Sequence, residues 1–278
     1  MATIAEITGY LNELYPQDTA EAWDAVGLTV GEPDARVGTA LFAVDIDPIV
    51  VAEAIDLGAD LIVTHHPLFL SGTITVAANT PKGRMVHDLI THGIGLYTAH
   101  TNADIAPSGV NDSLAGLLGL ERCEPLAPST HPGAHPGSGL GRVGVLPTPM
   151  PLRAFADRVA EELPATAHGV RVSGDLDRLI HRVAVCGGSG DSYLDAAHEA
   201  GADVYLTSDL RHHRASEASH QTGAPALIDV AHFASEWPWL PAVSAKVAGR
   251  FDVVTHVSTL NTDPWTTRLA STDEGGTR

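Results

Sequence analysis

An α/β fold of two similar halves, with mixed, largely parallel sheets, is predicted by three observations. Short apolar, β-branched runs recur along the chain, each bounded by turn residues, as buried parallel strands require. Stretches with helical spacing separate them. One layout also occurs twice. Leu41-Phe42-Ala43-Val44-Asp45 leads through an amphipathic stretch to Gly58-Ala59-Asp60-Leu61-Ile62-Val63-Thr64. Val183-Ala184-Val185-Cys186-Gly187 leads likewise to Gly201-Ala202-Asp203-Val204-Tyr205-Leu206-Thr207. Each copy reads as strand, helix, Gly-Ala-Asp turn, strand, and alternation of this kind implies layered halves with right-handed crossovers.

In chain order the pattern places strands over 41–45, 61–64 and 95–98, with a helix over 83–92. A Pro-, Gly-, Ser- and His-rich stretch over 127–141 then reads as a linker or flexible loop. Beyond it come a strand over 143–146, a helix over 152–163 and strands over 183–187 and 204–207. A helix over 212–220 and a strand over 226–230 complete the second half. The expected division is therefore 1–126, the linker 127–141, 142–262, and a flexible tail over 263–278 that lacks periodicity.

The bulk numbers narrow the function. With 278 residues, 44% of them hydrophobic and 18% charged, the chain can bury a core and does not have the composition of a disordered one. Its apolar runs, at 40–44 and 61–63, fall far short of the ~20 residues of a membrane span. Residues 1–10 carry no basic region followed by an apolar stretch, so a cytoplasmic location away from membranes is expected. A net charge of −18 argues against nucleic acid, yet a small anion is allowed where a bound cation reverses the local field. Two cysteines, Cys123 and Cys186, make no disulfide framework and fit a reducing compartment.

Chemistry collects beyond the predicted strand ends, where ligands gather in open α/β sheets. Among fifteen histidines, His65 and His66 follow the strand at 61–64 directly. Both can reach one site if Pro67 turns the backbone; otherwise one is a core histidine and the other faces solvent. His100 and Asp104 follow the strand at 95–98, where Asp104 could equally shape a turn before Pro107 and Gly109. His232 and Glu236 stand at i, i+4 after the strand at 226–230, the spacing of a ligand pair on one helix face or of an ordinary exposed pair. Together these nitrogen and oxygen donors suit a two-metal site, and without a thiolate they do not choose among Zn, Mn, Fe, Co and Ni.

Weaker features stand beside these. Gly187-Gly188-Ser189-Gly190 could cradle an anion or simply turn tightly, and it has neither the P-loop nor the dinucleotide pattern. His212 or His213, after Thr207-Ser208-Asp209, is a candidate for the cleft wall. Trp237 and Trp239, beside Glu236, are placed to pack the site or a subunit contact.

From Ile4 to Leu260 the chain resembles the GTP cyclohydrolase 1 type 2 homologue family, also called the Nif-three-like family. The resemblance rests on Trp23-Asp24-Ala25-Val26-Gly27-Leu28 with Gly31, His65-His66-Pro67-Leu68 and His100-Thr101-Asn102-Ala103-Asp104. In the second half it rests on Gly187-Gly188-Ser189-Gly190, Thr207-Ser208-Asp209 with His213, and the run from Asp229 to Glu236. It implies two similar α/β domains, a dinuclear divalent-metal centre between them and a ring-shaped homohexamer. By position it puts the metal ligands on His65, His66, Asp104, His232 and Glu236, with His100 and His213 left as proton shuttles or supporting residues. Ala25 stands where Asn is usual and Ser208 where Gly is usual, which touches cleft shape and not the ligand set.

The expected activity is metal-dependent hydrolysis of a small, nucleotide-like substrate by a metal-bridging hydroxide. The alternatives are a phosphoesterase or nucleotidase using the same metals, and a non-enzymatic metal-binding scaffold or metal chaperone.

Overall fold

The structure is a computed structural model and describes residues 1–269. Local signals set its helix ends. Thr3 and Glu6 form a reciprocal capping box at the head of α1 (Ile4–Leu14). Asp47 caps α2 (Pro48–Leu57) through the amides of Ile49 and Val50, and Gly58, left-handed at φ 61°, ends it. Thr80 and Gly93 bracket α3 (Pro81–His92) in the same manner.

Two sheets carry the fold, beside a small antiparallel ribbon of β1 (Ala2–Thr3) and β3 (Arg36–Val37). In the five-stranded sheet β13 (Val254–Val257), β4 (Thr39–Ala43), β5 (Leu61–Thr64) and β6 (Gly95–Thr98) run parallel, with β2 (Gly27–Val30) antiparallel at the edge. The six-stranded sheet has the order β7 (Glu121–Pro128), β8 (Gly139–Pro151), β10 (Leu179–Ser189), β11 (Val204–Ser208), β12 (Ala226–Val230), β9 (Arg171–Ser173). Only β10, β11 and β12 pair in parallel there, so "largely parallel" describes the first sheet and not the second.

Strand alternation sorts side chains into layers. Leu41, Ala43, Ile62 and Leu96 face α2 and α3 on the outside of the first sheet. Their neighbours Ala40, Phe42, Val63 and Tyr97 face inward, into one core shared with Val183, Val185, Leu206 and Ile228 of the second sheet. Side chains of α1, α5 (Val110–Leu117), α6 (Leu152–Glu162) and α10 (Trp239–Arg250) complete that core. On the far side, α7 (Leu194–Glu199) and α8 (His212–Ser219) cover Ala184, Tyr205 and Leu227. Two short helices, α4 (Thr101–Ile105) and α9 (His232–Glu236), start just past β6 and β12.

The expected boundaries shift in three places. Strand β7 straddles position 126 and pairs with β8, so the expected linker is the connection of a hairpin: 129–138 form its loop, while Ala127 faces Leu140 and Pro128 faces Gly139. Gly139 and Gly141, which read as loop residues, serve close approach instead. A side chain at Gly141, held at φ 62°, would meet the Val185 carbonyl at 2.9 Å. Near the other end, β13 leaves the second half and pairs with β4 in the first sheet. Of the expected tail, 270–278 lies outside the described residues, while Asp263, Pro264 and Trp265 line a cavity described below. Among the described residues no helix is long and apolar enough to cross a membrane.

Candidate metal centre

The backbone turns at the end of β5 as the sequence requires. The amides of His65 and His66 both reach the Val44 carbonyl, and the Thr64 hydroxyl donates to the His66 carbonyl at 2.9 Å, directly before Pro67. Both imidazoles thereby face one point. From β6 the chain enters α4 with His100 at its cap and Asp104 one turn later. From β12 it enters α9, whose single turn puts His232 and Glu236 on one face.

Glu236 is the hub. It is 3% exposed, and its carboxylate lies 3.4 Å from His65 Nε2, 3.1 Å from His66 Nε2 and 2.9 Å from His232 Nε2. Asp104 Oδ1 is 3.7 Å from His65 Nε2. Ring nitrogens of His65, His66 and His100 fall within 4.8 Å of one another, as do ligand atoms of His66, His232 and Glu236; His66 belongs to both groups.

Each of the four rings is oriented through its other nitrogen. His65 Nδ1 donates to the Ala99 carbonyl at 3.0 Å and His66 Nδ1 to Asp45 at 2.7 Å. His232 Nδ1 donates to Asp209 at 2.7 Å and His100 Nδ1 to Asp24 at 2.8 Å. A proton fixed on Nδ1 leaves Nε2 as the atom that meets the centre, the arrangement by which supporting oxygens orient metal-binding histidines.

The donor set fits a cation on a direct observation. His65 Nε2, Asp104 Oδ1 and Glu236 Oε2 are buried and have no hydrogen-bond partner among the described residues, a costly state for atoms pointed at one another. The local field agrees. Burial opposes the charge on Glu236, but His232, His66 and His65 hold its carboxyl well below the usual range. Burial likewise opposes protonation of His66, yet Glu236 and Asp45 raise it to about 10. For His232 the Glu236 charge outweighs burial and the value rises to about 11. Burial, together with Glu236, pushes the Asp104 carboxyl up. Without metal the centre therefore gathers protons on its rings, and a divalent cation supplies the same positive charge.

The surroundings are built closely. A Cβ at Gly188, whose φ is +66°, would collide with Glu236 Oε1 and stand 3.2 Å from His232 Nε2. The Gly-Gly-Ser-Gly turn is thus a wall of the site. The amides of Gly187 and Gly188 donate to Asn111 Oδ1 and Ser235 Oγ, so they are not free for an anion. Ser208 is fully buried and its hydroxyl donates to Ser235 Oγ at 3.0 Å, beneath α9. Trp239 packs edge-on against His65 and donates from Nε1 to the Tyr15 hydroxyl, while Trp237 donates to the Ser258 carbonyl; both are packing residues.

His213 is not brought to the cluster. The second strand end carries Thr207-Ser208-Asp209, and α8 then takes His213 away to an exposed position against His212. His100 does line the same cavity as His66 and His232. Missed from the sequence were the supporting carboxylates Asp24, Asp45 and Asp209. The signal available for Asp45 and Asp209 was their place one or two residues beyond strands β4 and β11.

The cavity has a volume of about 560 Å³, and the rings of His66, His100 and His232 line it. Residues 2–264 match the protein family described as Duf34/NIF3 (NGG1p interacting factor 3). A Streptomyces coelicolor protein named GTP cyclohydrolase 1 type 2 homolog is 51% identical, covering 98% of this chain and 96% of its own length. One of the same name from Mycobacterium tuberculosis is 36% identical over 94% of this chain and 96% of its own. Among solved structures, a Bacillus cereus protein related to NIF3 superposes with a TM-score of 0.86 at 28% identity, covering 96% of this chain and 99% of that one. A Staphylococcus aureus protein gives a TM-score of 0.86 at 30% identity, with the same coverage.

Proposed function

The chain belongs to the Duf34/NIF3 family, and from that premise we propose that it is a metal-dependent hydrolase of a small substrate. The observation that carries the reading is the convergence of unpartnered buried donors on one point. His65, His66, Asp104, His232 and Glu236 would hold the divalent cations, and the Glu236 carboxylate lies within reach of the Nε2 atoms of all three histidines. A pair of such cations lowers the pKa of a water and polarises an electrophile when bound.

The chain's own groups do the rest. Asp45 and Asp209 keep the rings of His66 and His232 in one orientation. His100, at the cavity wall and tethered by Asp24, is placed to move a proton between substrate and solvent. Hydrogen bonds from His100 and Thr101 overcome burial and keep the Asp24 carboxyl well below its usual range, so that tether stays charged. A cavity of about 560 Å³ suits a small molecule and not a polymer. The name shared by the relatives points to a nucleotide-like compound, and the family resemblance adds a cytoplasmic homohexamer to the reading.

Metal content on protein purified without chelator tests the centre. About two equivalents per chain, lost in His65→Ala, support it. Hydrolysis of GTP and of simple phosphoesters by the loaded protein, abolished in Glu236→Ala, supports the activity. A folded Glu236→Ala protein that keeps full turnover overturns it. Light scattering in solution tests the hexamer.

A further inference from the structure

Asn261–Asp263 and the residues after it carry a feature that the metal centre does not use. The segment is tied down: the Thr262 hydroxyl donates to Asp45, and Asn261 Nδ2 donates to the Ala165 carbonyl. It thereby brings Asp263 to the cavity wall, where Asp45 and Asp209 also stand. Asp263 Oδ2 is buried and has no hydrogen-bond partner among the described residues. Asp45 gives one oxygen to His66 and the other to Thr262, and Asp209 gives one to His232, so Asp263 is the member of the trio that holds no ring of the centre. Burial, with the acidic neighbours Asp45 and Asp209, pushes the Asp263 carboxyl up against the Trp265 amide and His168, which favour its charged form.

The rest of the lining sharpens the point. Among the described residues that line the cavity none is Lys or Arg, and the apolar share comes largely from Phe233, Pro264 and Trp265. A site built for a polyphosphate surrounds it with cations and amide donors. Besides the rings of the centre, the further imidazole in the lining, His168, is paired with Asp229, and the rest of the outer wall is acidic and aromatic.

Resting on the metal-centre reading above, we propose that Asp263, with Asp45 and Asp209, makes the outer cavity a wall selective for donors and cations. The site then takes a small compound with one metal-seeking end and an amine- or amidine-like N–H group at the other, and it disfavours negative charge at that far end. The apolar middle of such a compound lies against Phe233 and Trp265.

Calorimetric titration of the manganese-loaded full chain tests this with four probes that share one end. Orthophosphate reads the metals alone. Phenylphosphonate adds a neutral ring, and its para-aminomethyl and para-carboxy derivatives add opposite charges at the far end. The expected order is aminomethyl about fivefold tighter than phenyl, and carboxy about fivefold weaker, as partly exposed charge pairs allow. Asp263→Asn narrows the whole spread to under about fivefold while orthophosphate affinity stays unchanged, which also shows that the variant is folded and loaded. Equal affinities in the parent chain, or a spread that Asp263→Asn leaves intact, overturn the inference alone. Failure of orthophosphate and phenylphosphonate to bind at all overturns the metal-centre reading, and the inference falls with it.

Discussion

At the start of β5 the Asp60 carboxylate accepts from the amides of Gly38 and Thr39, and at the start of β11 that of Asp203 accepts from His181 and Arg182. The main chain matches too: Gly95 donates to the Asp60 carbonyl as Ala226 donates to that of Asp203. Four residues on, the two strands part company. One ends in Thr64-His65-His66-Pro67 and delivers two imidazoles to the centre. The other ends in Thr207-Ser208-Asp209, where Ser208 braces Ser235 and Asp209, at φ +57°, braces His232. The same scaffold thus presents donors on one side and supports on the other. A matched strand start locates the chemistry without saying which part of it each half performs.

If the comparison is right, the largest effect comes from the group both halves serve. Glu236→Gln removes the charge around which three rings gather, and metal affinity falls by more than about 100-fold in titration calorimetry. A variant that still binds two cations tightly would break the scheme.

Next in size is the proton competition. The raised His66 and His232 take protons at neutral pH in the metal-free chain, and each cation must displace them. Apparent affinity therefore climbs with pH toward about 10 and about 11, by up to tenfold per unit for each proton released. Stability has the opposite sign without metal. The contribution of these raised groups is complete below the ordinary imidazole range and is lost as pH rises through about 10 and about 11. Thermal unfolding of chelator-treated protein across that range measures it.

The supports come third. Asp45→Ala frees the His66 ring and Asp209→Ala the His232 ring, and each costs about 10- to 100-fold in metal affinity. Two-step isotherms sharpen the contrast, since Asp209→Ala spares the His65–His66 side. Ser208→Gly, which restores the residue usual in the family, gives the smallest effect. It removes one buried hydroxyl bond, costs about 1 kcal/mol of stability in denaturant unfolding and leaves metal affinity within about twofold.

Much of this centre was legible in the sequence because donors past strand ends are conspicuous. His65 and His66 follow an apolar run with a proline behind them, and His232 and Glu236 keep helical spacing. Asp45 and Asp209 were not, because an acid after a strand reads equally well as turn chemistry until its partner is known. Asp263 was missed for a different reason: a segment with no periodicity gives no sign that two side-chain bonds fasten it to the cavity. In the fold, the elements with strong periods stood out. The β7–β8 hairpin was hidden by glycines that serve close packing, and β13 by its pairing with a strand more than two hundred residues earlier, as in Val254 with Thr39.

That last pairing sets a schedule for synthesis. Until Val254–Val257 leaves the ribosome, the outer edge of β4 has no neighbour, and Ser258 has not yet donated to the Phe42 carbonyl and to Glu53. Glu236 also follows the first sheet's strands β2 to β6 in chain order, so the nascent chain carries an open strand edge and a histidine cluster without its carboxylate hub until those late segments arrive.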